Sequence, residues 1–296
     1  MAMTADDILH RPALETHVRG QAQSLLQIHD ASPRLASLFG TRQRWLMAHA
    51  ALSQYFRDAA AAATAADAGL LTSRLLDLVM RYEVASRNTA AAFLKEMLKY
   101  GIIRHVAASE GRRSRPFEPA PATLLALFHW HLVHLTTLDE LDGGGRCAAL
   151  RAEPDALHRI QPLIADGLLG SAVVRKPEPT FALFAWVDEG GIVMDRLIVG
   201  CEQGAAGRDR ITTDLTSITS LALRLKLSRA QLSRKIAAAE AMGSLGWLGT
   251  RGRSPVWVSR GFQYEYHKAQ AVKLAIIDAA FEACFARDRR RDVAQA

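Results

Sequence analysis

Several marks of large protein classes are missing from this chain. It holds three cysteines among 296 residues, Cys147, Cys201 and Cys284, with no pair at CxxC spacing. An odd number of widely separated thiols argues against a disulfide framework or a zinc knuckle and suits a reducing cytoplasm. No apolar run reaches the ~18 residues needed to span a membrane. The opening MAMTADDILHRPALE carries acids early and has no apolar stretch, so no secretory signal is expected. Also lacking are a phosphate-binding glycine loop, a dinucleotide fingerprint and a Ser/His/Asp arrangement. No catalytic residue, metal ligand or cofactor is assigned, and the chain is read as a non-enzyme. The nearest metal candidate is HWHLVH at 129–134. His131 and His134 would share a helix face there, but His129 points elsewhere and no acid completes the set, so these are read as structural histidines. Asp188-Glu189-Gly190-Gly191 is read as a turn rather than an acid pair.

What the chain has is positive charge in two places. The net charge is +7. From Arg81 to Arg115 there are eight Lys/Arg (81, 87, 95, 99, 104, 112, 113, 115) against three acids (83, 96, 110). From Ser220 to Arg260 there are eight (224, 226, 229, 234, 235, 251, 253, 260) against Glu240 alone. Residues 116–210 between them carry thirteen acids and eight Lys/Arg. Basic islands flanking an acidic middle are an electrostatic footprint for a polyanion. The triple arginine 289–291 near the end is read as part of a frayed terminus.

Apolar residues recur at three- and four-residue intervals, which predicts a mainly α protein. Helices are expected over 41–60, 70–81, 121–139, 147–169, 180–200 (where strand is the alternative) and 264–287. Each basic island contains a sixteen-residue window that begins Ser-Arg and ends in Gly: SRNTAAAFLKEMLKYG from Ser86 to Gly101, and SRAQLSRKIAAAEAMG from Ser228 to Gly243. In the first, Ser86 can cap a helix, Ala90, Phe93, Leu94, Met97 and Leu98 form an apolar stripe, and Gly101 can end the helix in the left-handed conformation. In the second, Leu232, Ile236 and Ala239 form the stripe, and Lys235 stands where Phe93 stands in the first. A short apolar helix precedes each window. A stretch with apolar arms and a basic tip follows each, with Arg112, Arg113 and Arg115 at one tip and Arg251 and Arg253 at the other.

The string SLALRLKLSRAQLSRKIAAAEAMGSLGWLGTRGRSPVWVSRGF resembles the winged helix-turn-helix core of MarR-type bacterial transcriptional regulators, and residues 70–118 resemble it more loosely. The resemblance implies tandem winged helix-turn-helix modules with small β-wings and flanking helices. The divisions expected are 1–120 for N-terminal helices and the first module, 121–210 for a helical connecting region that spaces the heads, and 211–296 for the second module and a C-terminal helix. It also implies sequence-specific binding of double-stranded DNA by a cytoplasmic regulator. Arg87, Asn88, Arg229 and Arg234 are the candidates for base edges, and Thr89, Lys95, Gln231 and Ser233 for bases or phosphates. Arg112, Arg113, Arg115, Arg251 and Arg253 are the candidates for the backbone or minor groove. Relatives of this kind dimerise and bind small-molecule effectors. A homodimer, or a pseudo-dimer within one chain, is therefore compatible, with an effector near Trp130, His134 and Trp186. The alternatives are a replication initiator, which also pairs two winged helices in one chain, and a winged-helix module for protein contacts without DNA binding or an enzyme built on residues 121–210.

Overall fold

The computed structural model describes residues 1–31, 39–111, 115–185, 190–204 and 208–295, with side chains as far as residue 285. Among these residues the chain is mainly helical, with two small antiparallel sheets. The order begins α1 (Ala5–Leu9), α2 (Leu14–Ala31), α3 (Arg42–Ala61), α4 (Thr72–Arg81) and α5 (Arg87–Lys99). Strand β1 (Ile103–His105), a 3-10 turn (Ala107–Ser109) and β2 (Phe117–Pro119) follow. Next come α6 (Pro121–Asp142), α7 (Arg146–Ala152), α8 (Ala156–Gly170), α9 (Ala172–Arg175), α10 (Pro179–Ala185) and α11 (Gly190–Gly200). The chain closes with β3 (Arg210–Thr212), α12 (Ile218–Leu225), α13 (Arg229–Ala241), β4 (Leu245–Trp247), β5 (Val256–Ser259) and α14 (Arg260–Gln295). No helix among the described residues is long and apolar enough to cross a membrane.

Two compact units are interleaved along the sequence. The first takes residues 1–4, 43–175 and 273–296, and the second takes 5–42 and 176–272. Residues of the acidic middle are divided between the units: 121–175 belongs to the first and 176–210 to the second. The helix expected over 147–169 is broken between Ala152 and Ala156, where Pro154 disfavours helical backbone in the residue before it. Helix is found on both sides of 186–189, in the stretch where strand was the alternative. Asp188 and Glu189 lie outside the described residues, and Gly190 opens α11. The C-terminal helix is longer than its apolar pattern, running to Gln295 through the stretch expected to fray.

In the first unit, buried residues line α3 (Leu46, Met47, Ala50, Phe56), α6 (Leu127, Leu135, Leu138), α8 (Ile160, Ile164, Leu168) and the second half of α14 (Leu274, Ile277, Phe281). Two polar clusters sit within this core. In one, Arg146 donates to Asp142 (2.7 and 2.8 Å), Asp139 (3.3 Å) and the fully buried Asp278 of α14 (2.7 Å). Asp139 also accepts from the backbone N–H of Arg146 and of Cys147, at 2.8 and 2.9 Å. It thereby satisfies the free donors at the start of α7, which Gly145 cannot cap with a side chain. The hydrogen bonds to Asp142, more than offsetting burial, hold the guanidinium charged well above its ordinary range.

The other cluster gathers His49, His131 and His134, all buried, against Trp45 and Trp130. His134 Nδ1 donates to the Trp130 carbonyl at 2.7 Å, and Gln161 Nε2 donates to His49 Nδ1 at 3.0 Å. Burial pushes His49 down to about 3, His131 to about 4, and His134 well below the usual imidazole range. Among the described residues no group of three or more His, Cys, Asp or Glu side chains is arranged to hold a metal ion.

In the second unit α2 packs along α11, and Arg19 of α2 donates to the carbonyls of Val199 and Cys201 at 3.2 and 2.7 Å. Gln21 donates to Gln270 at 2.9 Å within the core. The Tyr266 hydroxyl donates to Asp195, with both groups buried. Burial pushes the Cys201 thiol up to about 11 and raises Cys147 as well, so neither is a ready thiolate.

Candidate nucleic-acid interface

Each basic island folds into the same succession of parts, one in each unit. In the first, α4 buries Leu75, Leu78 and Val79, and α5 buries Ala90, Phe93, Leu94 and Met97, while Leu98 is half-buried. In the second, α12 buries Leu221, Ala222 and Leu225, and α13 buries Leu232, Ile236 and Ala239. The turn between the paired helices contains one residue with positive φ in each case, Glu83 (53°) and Lys226 (56°). A left-handed non-glycine residue reverses the chain tightly at some conformational cost.

The cap and stop expected at Ser86 and Gly101 are present, and Ser228 and Gly243 repeat them in the second window. Ser86 Oγ accepts from the Thr89 N–H at 3.2 Å, and Ser228 Oγ accepts from the Gln231 N–H at a longer 3.5 Å. Gly101 and Gly243 have φ of 68° and 69°. Past each glycine the chain folds back, with Ile102 N–H donating to Met97 O and Ser244 N–H to Ala239 O, both at 2.9 Å. The shift in numbering that takes Ser86 to Ser228 and Gly101 to Gly243 also takes Ile103 to Leu245, the first residues of β1 and β4.

An antiparallel pair follows each second helix: β1 with β2, and β4 with β5. A third segment from before the first helix joins each sheet. In the second unit it is β3, with Ile211 opposite Val258, and in the first it is a single bridge from Leu70 to Phe117. Sequence reading did not assign this segment. The β-branched run Ile211-Thr212-Thr213 was its only signal. The connection between β4 and β5 is tightly tied. Arg253 N–H donates to Thr250 O across a turn whose Gly252 has φ of 78°, and Ser254 Oγ accepts from the Gly249 N–H at 2.9 Å while donating to Thr250 O at 3.0 Å.

The site residues expected from sequence mostly lie on the open side of these parts. Arg87, Asn88, Thr89 and Lys95 are exposed on α5, and Arg115 is exposed before β2. Arg112 and Arg113 lie outside the described residues. Arg229, Gln231 and Arg234 are exposed on α13, Ser233 is half-buried beside them, and Arg251 and Arg253 are exposed between β4 and β5. Lys235 is the residue that departs from its helix. It is buried, and its Nζ donates to the Phe184 carbonyl at 3.1 Å and lies 5.9 Å from the Phe184 ring centre. A lysine therefore fills the place of Phe93 by reaching a carbonyl of α10 rather than by leaving the core.

Two carboxylates that sequence reading did not associate with these arginines do meet them. Asp77 on α4 accepts from Arg87 at 3.2 Å, and Glu240 on α13 accepts from Arg251 at 3.0 and 3.1 Å. On the sheet of the second unit the Arg210 guanidinium lies 4.4 Å from the centre of the Trp257 ring. Near the expected effector position, Trp130 and His134 pack ring on ring at 4.1 Å, and Trp186 lies outside the described residues. No family model, no curated protein and no solved structure matches the chain.

Proposed function

We propose that the chain binds double-stranded DNA through two winged helix-turn-helix modules, residues 70–120 and 210–261, and acts as a sequence-specific regulator of transcription rather than as an enzyme. The observation that carries this reading is the first turn of α13. Arg229 and Gln231 stand exposed there, with Arg234 exposed further along, on a helix whose other side is buried by Leu232, Ile236 and Ala239. A helix fits the major groove, where each base pair offers a distinct set of donors and acceptors. Arg229 and Arg234 suit guanine, and Asn88 at the corresponding end of α5 suits adenine. Arg253 and Arg115 would grip phosphates or the minor groove.

Two modules on one chain also suit a replication initiator, which would occupy a run of direct repeats rather than promoters. Genome-wide mapping of bound DNA distinguishes the two. Binding itself is tested by titrating duplex at increasing salt. The affinity falls steeply, because each phosphate contact releases counterions, and Arg253→Ala lowers the log–log slope by up to about 0.9 on specific and random duplex alike. Absence of salt-sensitive binding to duplex would favour the remaining readings, a protein-contact module or an enzyme built on residues 121–210.

A further inference from the structure

The two islands match in architecture and differ in electrostatics. Residues 70–120 hold nine Lys/Arg and five Asp/Glu, whereas residues 210–261 hold nine Lys/Arg and two Asp/Glu. Three of the five acids of the first meet arginines. Asp77 on α4 meets Arg87, the first residue of α5, at 3.2 Å. Glu118 meets Arg104 across the β1–β2 pair at 2.8 Å, and Glu96 on α5 meets Arg44 at 3.0 Å. In the second island the equivalent leading residue is Arg229, and the preceding helix α12, ITSLALRL, contains no acid at all. Among the described residues Arg229, Arg234 and Arg253 form no ion pair, and only Arg251 is held, by Glu240.

An exposed ion pair is weak, but on a polyanion it works twice against binding. The arginine must leave its carboxylate to reach DNA, and the carboxylate then faces phosphate. We infer that the two heads are unequal: the second anchors the protein on the phosphate backbone, and the first, with Arg87 engaged by Asp77, contributes little grip and adds discrimination once the second is bound. This rests on the DNA-binding reading above. It makes Asp77, on the first helix and not on the reading helix, the residue that sets the strength of the first head.

The test uses the full chain and a fluorescent duplex titrated from about 50 to about 200 mM salt. All the substituted side chains are exposed, so their removal leaves the cores intact. Arg229→Ala is expected to weaken binding about tenfold or more, whereas Arg87→Ala weakens it by less than about threefold. Asp77→Asn is expected to tighten binding about two- to fivefold and to steepen the slope. That gain is expected to vanish when Arg87→Ala is combined with it, because the carboxylate acts through the arginine. Equal losses from Arg87→Ala and Arg229→Ala would overturn the inequality. So would an Asp77→Asn variant that binds like the parent, or a gain that survives without Arg87. A parent chain with no salt-dependent binding to duplex would instead overturn the DNA-binding reading, and the inequality with it.

Discussion

Acidification from pH 7.5 to pH 5 should destabilise the first unit, and the buried histidines set how steeply. His49, His131 and His134 are neutral in the folded chain because their pKa values lie far below 6.5, at about 3 and about 4 for the first two. In the unfolded chain each returns to an ordinary value of about 6.5 and binds a proton below it. Between pH 6.5 and pH 4 the unfolded state therefore holds more protons. Stability is complete above about pH 6.5 and falls as the pH drops toward the folded values. Each histidine contributes about 1.4 kcal/mol per pH unit in that window. At pH 5 that is about 2 kcal/mol each, or about 4 kcal/mol from His49 and His131 together, with His134 adding in the same direction. A domain of ordinary stability has only about 5–15 kcal/mol in total. In the second unit His267 is likewise lowered to about 4 by burial, so it acts in the same direction there. The assay is urea denaturation across this pH range, read by tryptophan fluorescence from Trp45 and Trp130. His131→Leu should reduce the slope by one proton's worth. A stability that stays flat from pH 7.5 to pH 5, or an unchanged slope in His131→Leu, would show that these histidines are not neutral and buried in the folded chain.

Two further outcomes follow from local structure. Asp278→Ala removes the buried partner of Arg146 and leaves its guanidinium facing a void in the α6–α7–α14 cluster. Thermal or denaturant unfolding should report a loss of about 3–5 kcal/mol, and a loss below about 1 kcal/mol would show that Asp139 and Asp142 suffice. Gly101→Ala and Gly243→Ala should cost about 1–2 kcal/mol each and nearly the same as one another. Both sit at positive φ with nothing within 4 Å of an added Cβ, so only backbone strain is measured. A difference of more than about 1 kcal/mol between them would mean the two windows end differently.

The features legible in the sequence are those decided within a few residues. Ser86 and Ser228 could be read as caps and Gly101 and Gly243 as stops because capping and the left-handed turn are local events. The stripes on α5 and α13 followed from helical spacing. The break at Pro154 was equally local and was passed over. The rest depends on partners distant in the chain. Asp278 meets Arg146, and Gln161 meets His49, across more than a hundred residues, and no pattern in the sequence pairs them. The interleaving of the two units was hidden for the same reason, since residues 5–42 belong with 176–272. Lys235 reads as a flaw in an apolar stripe until the Phe184 carbonyl that receives it is in place. At the interface the exposed arginines could be listed from sequence. Which of them are already engaged by Asp77 and Glu240 could not.

The most direct test of DNA reading is a binding-preference profile over randomised duplexes for the parent chain, Arg229→Ala and Arg87→Ala. The parent should enrich a defined sequence, and Arg229→Ala should flatten preference at one or two positions, the signature of a lost bidentate base contact worth about 1–3 kcal/mol. Arg87→Ala should flatten a separate position by a smaller amount. Enrichment no different from random duplex, or variants that bind more weakly while keeping every parental base preference, would contradict DNA reading by these arginines.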